Sequence, residues 1–173
     1  CVLYVPMQPD YDEIAVLLRA GVNVITTAGN MYPQAYGQEI VDKLQGRYGC
    51  KRFLRDGHQT VLEDHSRLHY EPGELHQFEH IESEWPLFFC YLLVDAVLRG
   101  DTAGAADYRQ RLDALMQTQD GQALLPELYY VPAEAVKAER TEPHSQARVP
   151  NDNVPLVWAQ SLYLVGVLLQ EGW

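Results

Sequence analysis

Two segments of this 173-residue chain are apolar on every face of the helix each would form, and nothing else restricts the fold as much. In 83–98 the apolar positions are Trp85, Leu87, Phe88, Phe89, Tyr91, Leu92, Leu93, Val94 and Val97; in 153–170 they are Trp158, Leu162, Tyr163, Leu164, Val165, Val167 and Leu168. A helix with no polar side has to be enclosed. Ser83 reads as the cap of the first, with Pro86 in its opening turn and Gly100 beyond its end. Asn153-Val154-Pro155 opens the second. Between them, 102–117 carries one stripe, Tyr108, Leu112, Leu115 and Met116, with Asp107, Arg109, Arg111 and Asp113 off it. That pattern predicts a surface helix needing a single neighbour. Enclosed and striped helices in alternation fit two concentric helical layers, and a helical bundle fits equally well.

The length suits one ordinary domain, and 47% hydrophobic residues with 11 tyrosines mark a globular chain. A net charge of −11 argues against nucleic acid or an anionic membrane as partner, whereas a neutral carbohydrate is untouched by that objection. Three cysteines, Cys1, Cys50 and Cys90, form no CxxC pair, which favours buried thiols in a reducing compartment. No signal peptide is visible, and the apolar windows 87–98 and 154–169 fall short of the ~20 residues of a membrane span. The expectation is a cytoplasmic protein. Starting at Cys1 without a methionine, the chain reads as a piece of something longer.

The first 37 residues read differently from the rest. Val2-Leu3-Tyr4-Val5 predicts a strand, Asp10–Ala20 a helix closed by Gly21, and 22–27 a second strand, together a βαβ-like segment with a parallel pair. Within it, Leu18-Arg19-Ala20-Gly21-Val22-Asn23-Val24-Ile25-Thr26-Thr27 resembles a nucleotide-binding reductase of the dihydrodipicolinate reductase type. The GxGxxG turn that would hold a pyrophosphate is absent, so no cofactor is assigned. From 38 to 173 the pattern predicts helices and loops without strands, beginning with a helix over 38–48.

Several side chains fit recognition of a hydroxyl-rich ligand. Arg55 offers a fork of donors and Asp56 acceptors beside it, or the two form a salt-bridged turn ended by Gly57. Trp85, Tyr129 and Trp158 could stack on sugar rings or sit in the core. Gln160 and Ser161 are polar within an apolar helix, so they face a cavity or a buried partner. Glu79, Glu82 and Glu84 crowd ahead of an apolar helix, where mutual repulsion favours a protonated member; a solvated acidic loop is the plainer reading. Glu127, between Pro126 and Leu128-Tyr129-Tyr130, is an isolated carboxylate in an aromatic run and has to be used or paired, for instance with Arg148. His65/His69 and His76/His80 have the four-residue spacing of metal ligands, but Pro72-Gly73 interrupts the segment and no HExxH forms; they read as solvated histidines, with no metal. Arg148 and Asn151, in a long polar loop, are candidate rim contacts.

Five ordered blocks carry a more specific resemblance: 43–60, Tyr70-Glu71-Pro72, 78–87 (Phe-Glu-His-Ile-Glu-Ser-Glu-Trp-Pro-Leu), Leu124-Leu125-Pro126-Glu127-Leu128-Tyr129, and 149–163. Residues 38–173 resemble the glucoamylase-like domain of phosphorylase kinase α and β regulatory subunits and their bacterial relatives, in glycoside hydrolase family 15. The resemblance implies a mainly α fold, the later part of an (α/α)6 toroid preceded by the βαβ-like segment. It also implies an α-glucan or oligosaccharide as partner, through inverting α-glucoside hydrolysis or its sugar-sensing, regulatory descendant in glycogen metabolism. Inversion needs an acid and a base about 6.5–9.5 Å apart. The resemblance puts the acid at Glu82, with Glu79 and Glu84 as neighbours in register, and the base at Glu127. Arg55, Asp56, Trp85, Tyr129 and Trp158 would bind substrate. With half a toroid, the chain alone is expected to be inactive. The alternatives are a non-catalytic segment that packs on a protein partner, and a nucleotide-dependent reductase fragment.

Overall fold

The computed structural model describes residues 2–4, 11–22, 24–26 and 43–173, which fall into two units, Cys1–Gln45 and Gly46–Trp173. In the first, β1 (Val2–Tyr4) pairs in parallel with β2 (Val24–Thr26), Val2 opposite Val24. Between them runs α1 (Tyr11–Arg19), with Asp12 and Glu13 in its first turn and Arg19 in its last, a charge order that suits the helix dipole. It stops at Gly21, whose φ of +75° lets Gly21 N and Val22 N bond back to Leu18 O and Leu17 O. Of the predicted helix over 38–48, residues 38–42 lie outside the described residues; 43 and 44 are helical, but 45–48 are not, so the helix does not extend to 48 as expected.

The second unit is mainly helical: α2 (Pro86–Leu98), α3 (Thr102–Leu115), the short α4 (Val136–Thr141) and α5 (Val157–Gln170), with 3-10 turns at Leu75–Phe78 and Ala133–Ala135. Pro86 opens α2, but Ser83 does not cap it; its hydroxyl donates to His58 O at 3.1 Å. Leu87, Phe89, Cys90, Leu92, Leu93 and Ala96 of α2 are buried. Asp101 caps α3 by accepting from Gly104 N at 2.9 Å. The stripe on α3 packs inward through Tyr108, Leu112 and Leu115, while the half-buried Arg109 and Arg111 pair with Asp113 and Asp107 and lie over the rings of Tyr163 and Phe89.

Two expectations need correction. Past residue 38 there are strands after all: β3 (Gln117–Gln119) with β4 (Gln122–Leu124), and β5 (Tyr129–Tyr130) with β6 (Val149–Pro150), both antiparallel. Each is too short to show an alternating pattern. The first was nonetheless signalled by Asp120-Gly121, whose positive φ values of 49° and 76° make a tight hairpin turn. The second correction concerns enclosure. α5 packs on α2 through small residues: Ala159 O accepts from the Cys90 thiol at 3.5 Å, and a Cβ at Gly166 would come within 2.8 Å of Leu93. Its other side leaves Trp158 58%, Leu164 51% and Leu168 48% exposed. Apolar composition states a need for cover without supplying it. No helix among the described residues is long and apolar enough to cross a membrane.

Candidate functional site

The segment from Gly46 to Thr60 is irregular and held by charge. Asp56, only 1% exposed, accepts from Arg52 Nε (2.6 Å) and Nη2 (2.8 Å) and from His58 N (3.1 Å). Gly57 lies under the Phe78 ring, where a Cβ would meet carbon at 2.6 Å. Arg55 donates its backbone N–H to Glu82 Oε1 at 2.8 Å and its guanidinium to Glu79 Oε2 at 3.1 Å. Arg55 and Gln59 both sit at positive φ, 61° and 55°, conformations that cost a side-chain-bearing residue about 1–3 kcal/mol. This turn is therefore over-determined by its neighbours.

Beside it runs the acidic segment 79–84. Glu82 is 1% exposed; besides the Arg55 amide it faces Lys51 Nζ, 3.2 Å from Oε2, although Oε2 accepts no aligned hydrogen bond. Glu84 Oε1 pairs with Arg148 Nε at 3.0 Å and Oε2 accepts from Tyr48 N at 2.8 Å. Arg148 Nη2 also lies 3.6 Å from the buried Glu139, which accepts from His144 N and Gln146 N at 2.9 Å each. Arg148 further donates to the carbonyls of Glu82 and His80. Buried carboxylates are tolerable on these terms, because each has a cation or N–H groups within reach.

A third segment, 125–129, forms a ladder with its neighbours. Tyr129 exchanges backbone hydrogen bonds with Glu84 (2.8 and 2.9 Å), while Leu156 N donates to Leu125 O, Glu127 N to Asn153 O and Asn151 N to Leu128 O, each at 3.0 Å. Leu128 is buried in the core, whereas Glu127, at a bend just before β5, is half-buried and lines a cavity of about 690 Å³. His58, Gln59, His65, Tyr130 and Asn151 also line that cavity. Glu127 Oε2 accepts from Asn151 Nδ2 at 2.7 Å and from Gln59 Nε2 at 3.3 Å, and Asn151 Nδ2 also donates to Gln59 Oε1 at 3.1 Å. His58 and His65 approach the two oxygens of Glu63 at 3.8 and 3.4 Å.

Of the expected catalytic and substrate-binding residues Glu82, Glu127, Arg55, Asp56, Trp85, Tyr129 and Trp158, Glu127 alone lines this cavity. Glu82 and Asp56 are bonded inward as described. Trp85 is buried between the His58 ring, 5.9 Å away and stacked, and the Arg52 guanidinium at 5.1 Å. The Tyr129 hydroxyl donates to Leu115 O and accepts from Gln117 Nε2 at 2.9 Å; burial pushes its pKa up. Trp158 meets Tyr91 edge-on at 6.2 Å on the exposed side of α5. Asn151, read as a rim contact, is at the cavity, whereas Arg148 is buried behind it. Gln160 Oε1 accepts from Leu125 N at 2.9 Å and so supports the segment that carries Glu127. Gln59 and His58 carried no signal beyond closeness to the Arg-Asp-Gly turn. Among the described residues, no group of three His, Cys, Asp or Glu is arranged to hold a metal ion.

A family model described as glycosyl hydrolases family 15 matches residues 16–173, a span that takes in Val22–Thr27 and all of the second unit. The chain is similar to the phosphorylase b kinase regulatory subunit alpha, skeletal muscle isoform, of Rattus norvegicus, 53% identical over 136 residues. It is 50% identical over 135 residues to the liver isoform of Mus musculus, and 51% over 136 to a probable regulatory subunit alpha of Caenorhabditis elegans. Each match covers 78% of this chain and 11% of the relative, so the chain spans about a tenth of the length of the curated relatives it matches.

Proposed function

The chain belongs to glycosyl hydrolases family 15, and from that premise we propose that it is a sugar-sensing, regulatory member acting in glycogen metabolism, which binds an α-glucan at the Glu127 cavity without hydrolysing it. The helices of the second unit are taken as the later part of an (α/α)6 toroid. One observation carries the reading: a half-buried carboxylate, oriented by two carboxamides, opens on a polar cavity large enough for a sugar ring.

Inverting hydrolysis would need a second carboxyl across the cavity, with apolar surroundings to keep its proton. Glu82 faces Lys51 and the Arg55 amide instead. Asp152, the other acid at the cavity, is exposed on its loop and lacks such an enclosure. The relatives' description as regulatory subunits supports the same direction. Cys50 and Cys90, both buried free thiols, suit the cytoplasm we assign. A second reading, packing against a protein partner, is favoured by the exposed apolar side of α5 and is compatible with the first.

Calorimetry with maltotriose, run beside an assay for released glucose, tests the proposal. Binding without glucose release is expected, with Glu127→Gln weakening affinity about tenfold by loss of a charged acceptor. Glucose release that disappears in Glu127→Gln would make the protein a hydrolase with Glu127 as its base. Absence of maltotriose binding would remove the sugar altogether.

A further inference from the structure

Resting on the reading of the cavity as a sugar site, we propose that Gln59 and Asn151 are positioning residues for Glu127: their side-chain amides occupy Oε2 and leave Oε1 as the acceptor offered to a ligand hydroxyl. Both hydrogen bonds to this carboxylate from described residues end on one oxygen, at 2.7 Å from Asn151 and 3.3 Å from Gln59. The two amides are themselves joined, Asn151 Nδ2 to Gln59 Oε1 at 3.1 Å, so the three side chains close a triangle.

Each corner is anchored in turn. Asn151 N donates to Leu128 O at 3.0 Å and Asn151 Oδ1 accepts from Leu128 N at 3.4 Å, which settles the end of the amide that faces Glu127. Gln59 N is held by Glu63 Oε2 at 2.6 Å, and its left-handed φ of 55° throws the side chain across to Glu127, 68 residues away in sequence. Glu127 N is tied to Asn153 O. A carboxylate whose second oxygen is saturated cannot swing without breaking two bonds at once. Charge-assisted bonds of this kind are the stronger class of hydrogen bond.

A polarity swap separates this role from simple packing. Asn151→Asp keeps the acceptor for Leu128 N but sets a second carboxylate against Glu127, so the melting temperature should fall. Adding Glu127→Gln should restore it, because the new amide at 127 can donate to the new carboxylate at 151. If the double variant melts no higher than Asn151→Asp alone, the clamp is overturned. Gln59→Leu and Asn151→Ala, which test the ligand half, should each weaken maltotriose binding about tenfold while the folded far-ultraviolet spectrum is kept. Unchanged affinity in both, in a protein that binds maltotriose, also overturns the proposal. If the unaltered protein binds no maltotriose, the sugar reading falls with the ligand half, while the swap still judges the clamp on its own.

Discussion

The segments 79–84 and 125–130 lie side by side, joined by the paired backbone bonds of Glu84 and Tyr129, yet they spend their acids in opposite ways. In the first, Glu82 and Glu84 point at Lys51 and Arg148 and are almost wholly buried. In the second, Glu127 points at open space and is held by neutral amides. The difference teaches which acid is structural. A carboxylate that neutralises a buried cation is part of the framework, and one that neutral donors merely orient remains available to a ligand.

The contrast is easiest to break at Arg148. Arg148→Met leaves Glu84 and Glu139 buried without their cation and should cost about 3–5 kcal/mol in urea unfolding. A loss under about 1 kcal/mol would put the buried acids on the same footing as Glu127. Next in size is Gly46→Ala, because a Cβ there would stand 2.2 Å from the Glu84 carboxyl. Displacing that group should cost about 1–3 kcal/mol, read from the shift in denaturation midpoint at constant slope. Glu127→Gln should cost only about 1 kcal/mol in the same measurement, since charge-assisted bonds become neutral ones, even as sugar affinity falls. Stability lost on the scale of Arg148→Met would make Glu127 a framework acid.

The smallest effect concerns an exposed acid, Asp64. Hydrogen bonds from Ser66 and then Arg67 hold its carboxyl at about 2, below the ordinary 3.8. A depressed value means that its contribution is present above the unfolded value and disappears as pH falls through about 2. The stability gap between the protein and Asp64→Asn should therefore be present at pH 5 and close towards pH 2. A gap independent of pH would show that the ionised carboxyl is not what matters.

Much of the fold was legible because it follows from local patterns. The stripe Tyr108, Leu112 and Leu115 recurs at helical spacing and is what α3 buries. Pro86 can sit in a helix only in its first turn, and α2 starts there. The short strands were not legible apart from Asp120-Gly121, since pairs of two or three residues depend on what lies opposite. At the site, Glu127 stood out as a lone charge in an apolar run. Its partners did not, because Gln59 and Asn151 are 68 and 24 residues from it and glutamine or asparagine in a loop has no pattern. Arg55 and Asp56 looked like a ligand grip for the reason that makes them good internal partners, a matched set of donors and acceptors.

Sequence by itself determined the helical character, the family and the kinds of side chain present at the site, since periodicity, capping and block order are properties of neighbours along the chain. Tertiary structure decided which carboxylate met a cation and which met a cavity. It also decided that α5, apolar round most of its circumference, keeps one side uncovered among the described residues. Those outcomes depend on what is within about 4 Å in space, and charge and apolar surface are satisfied only by what arrives there.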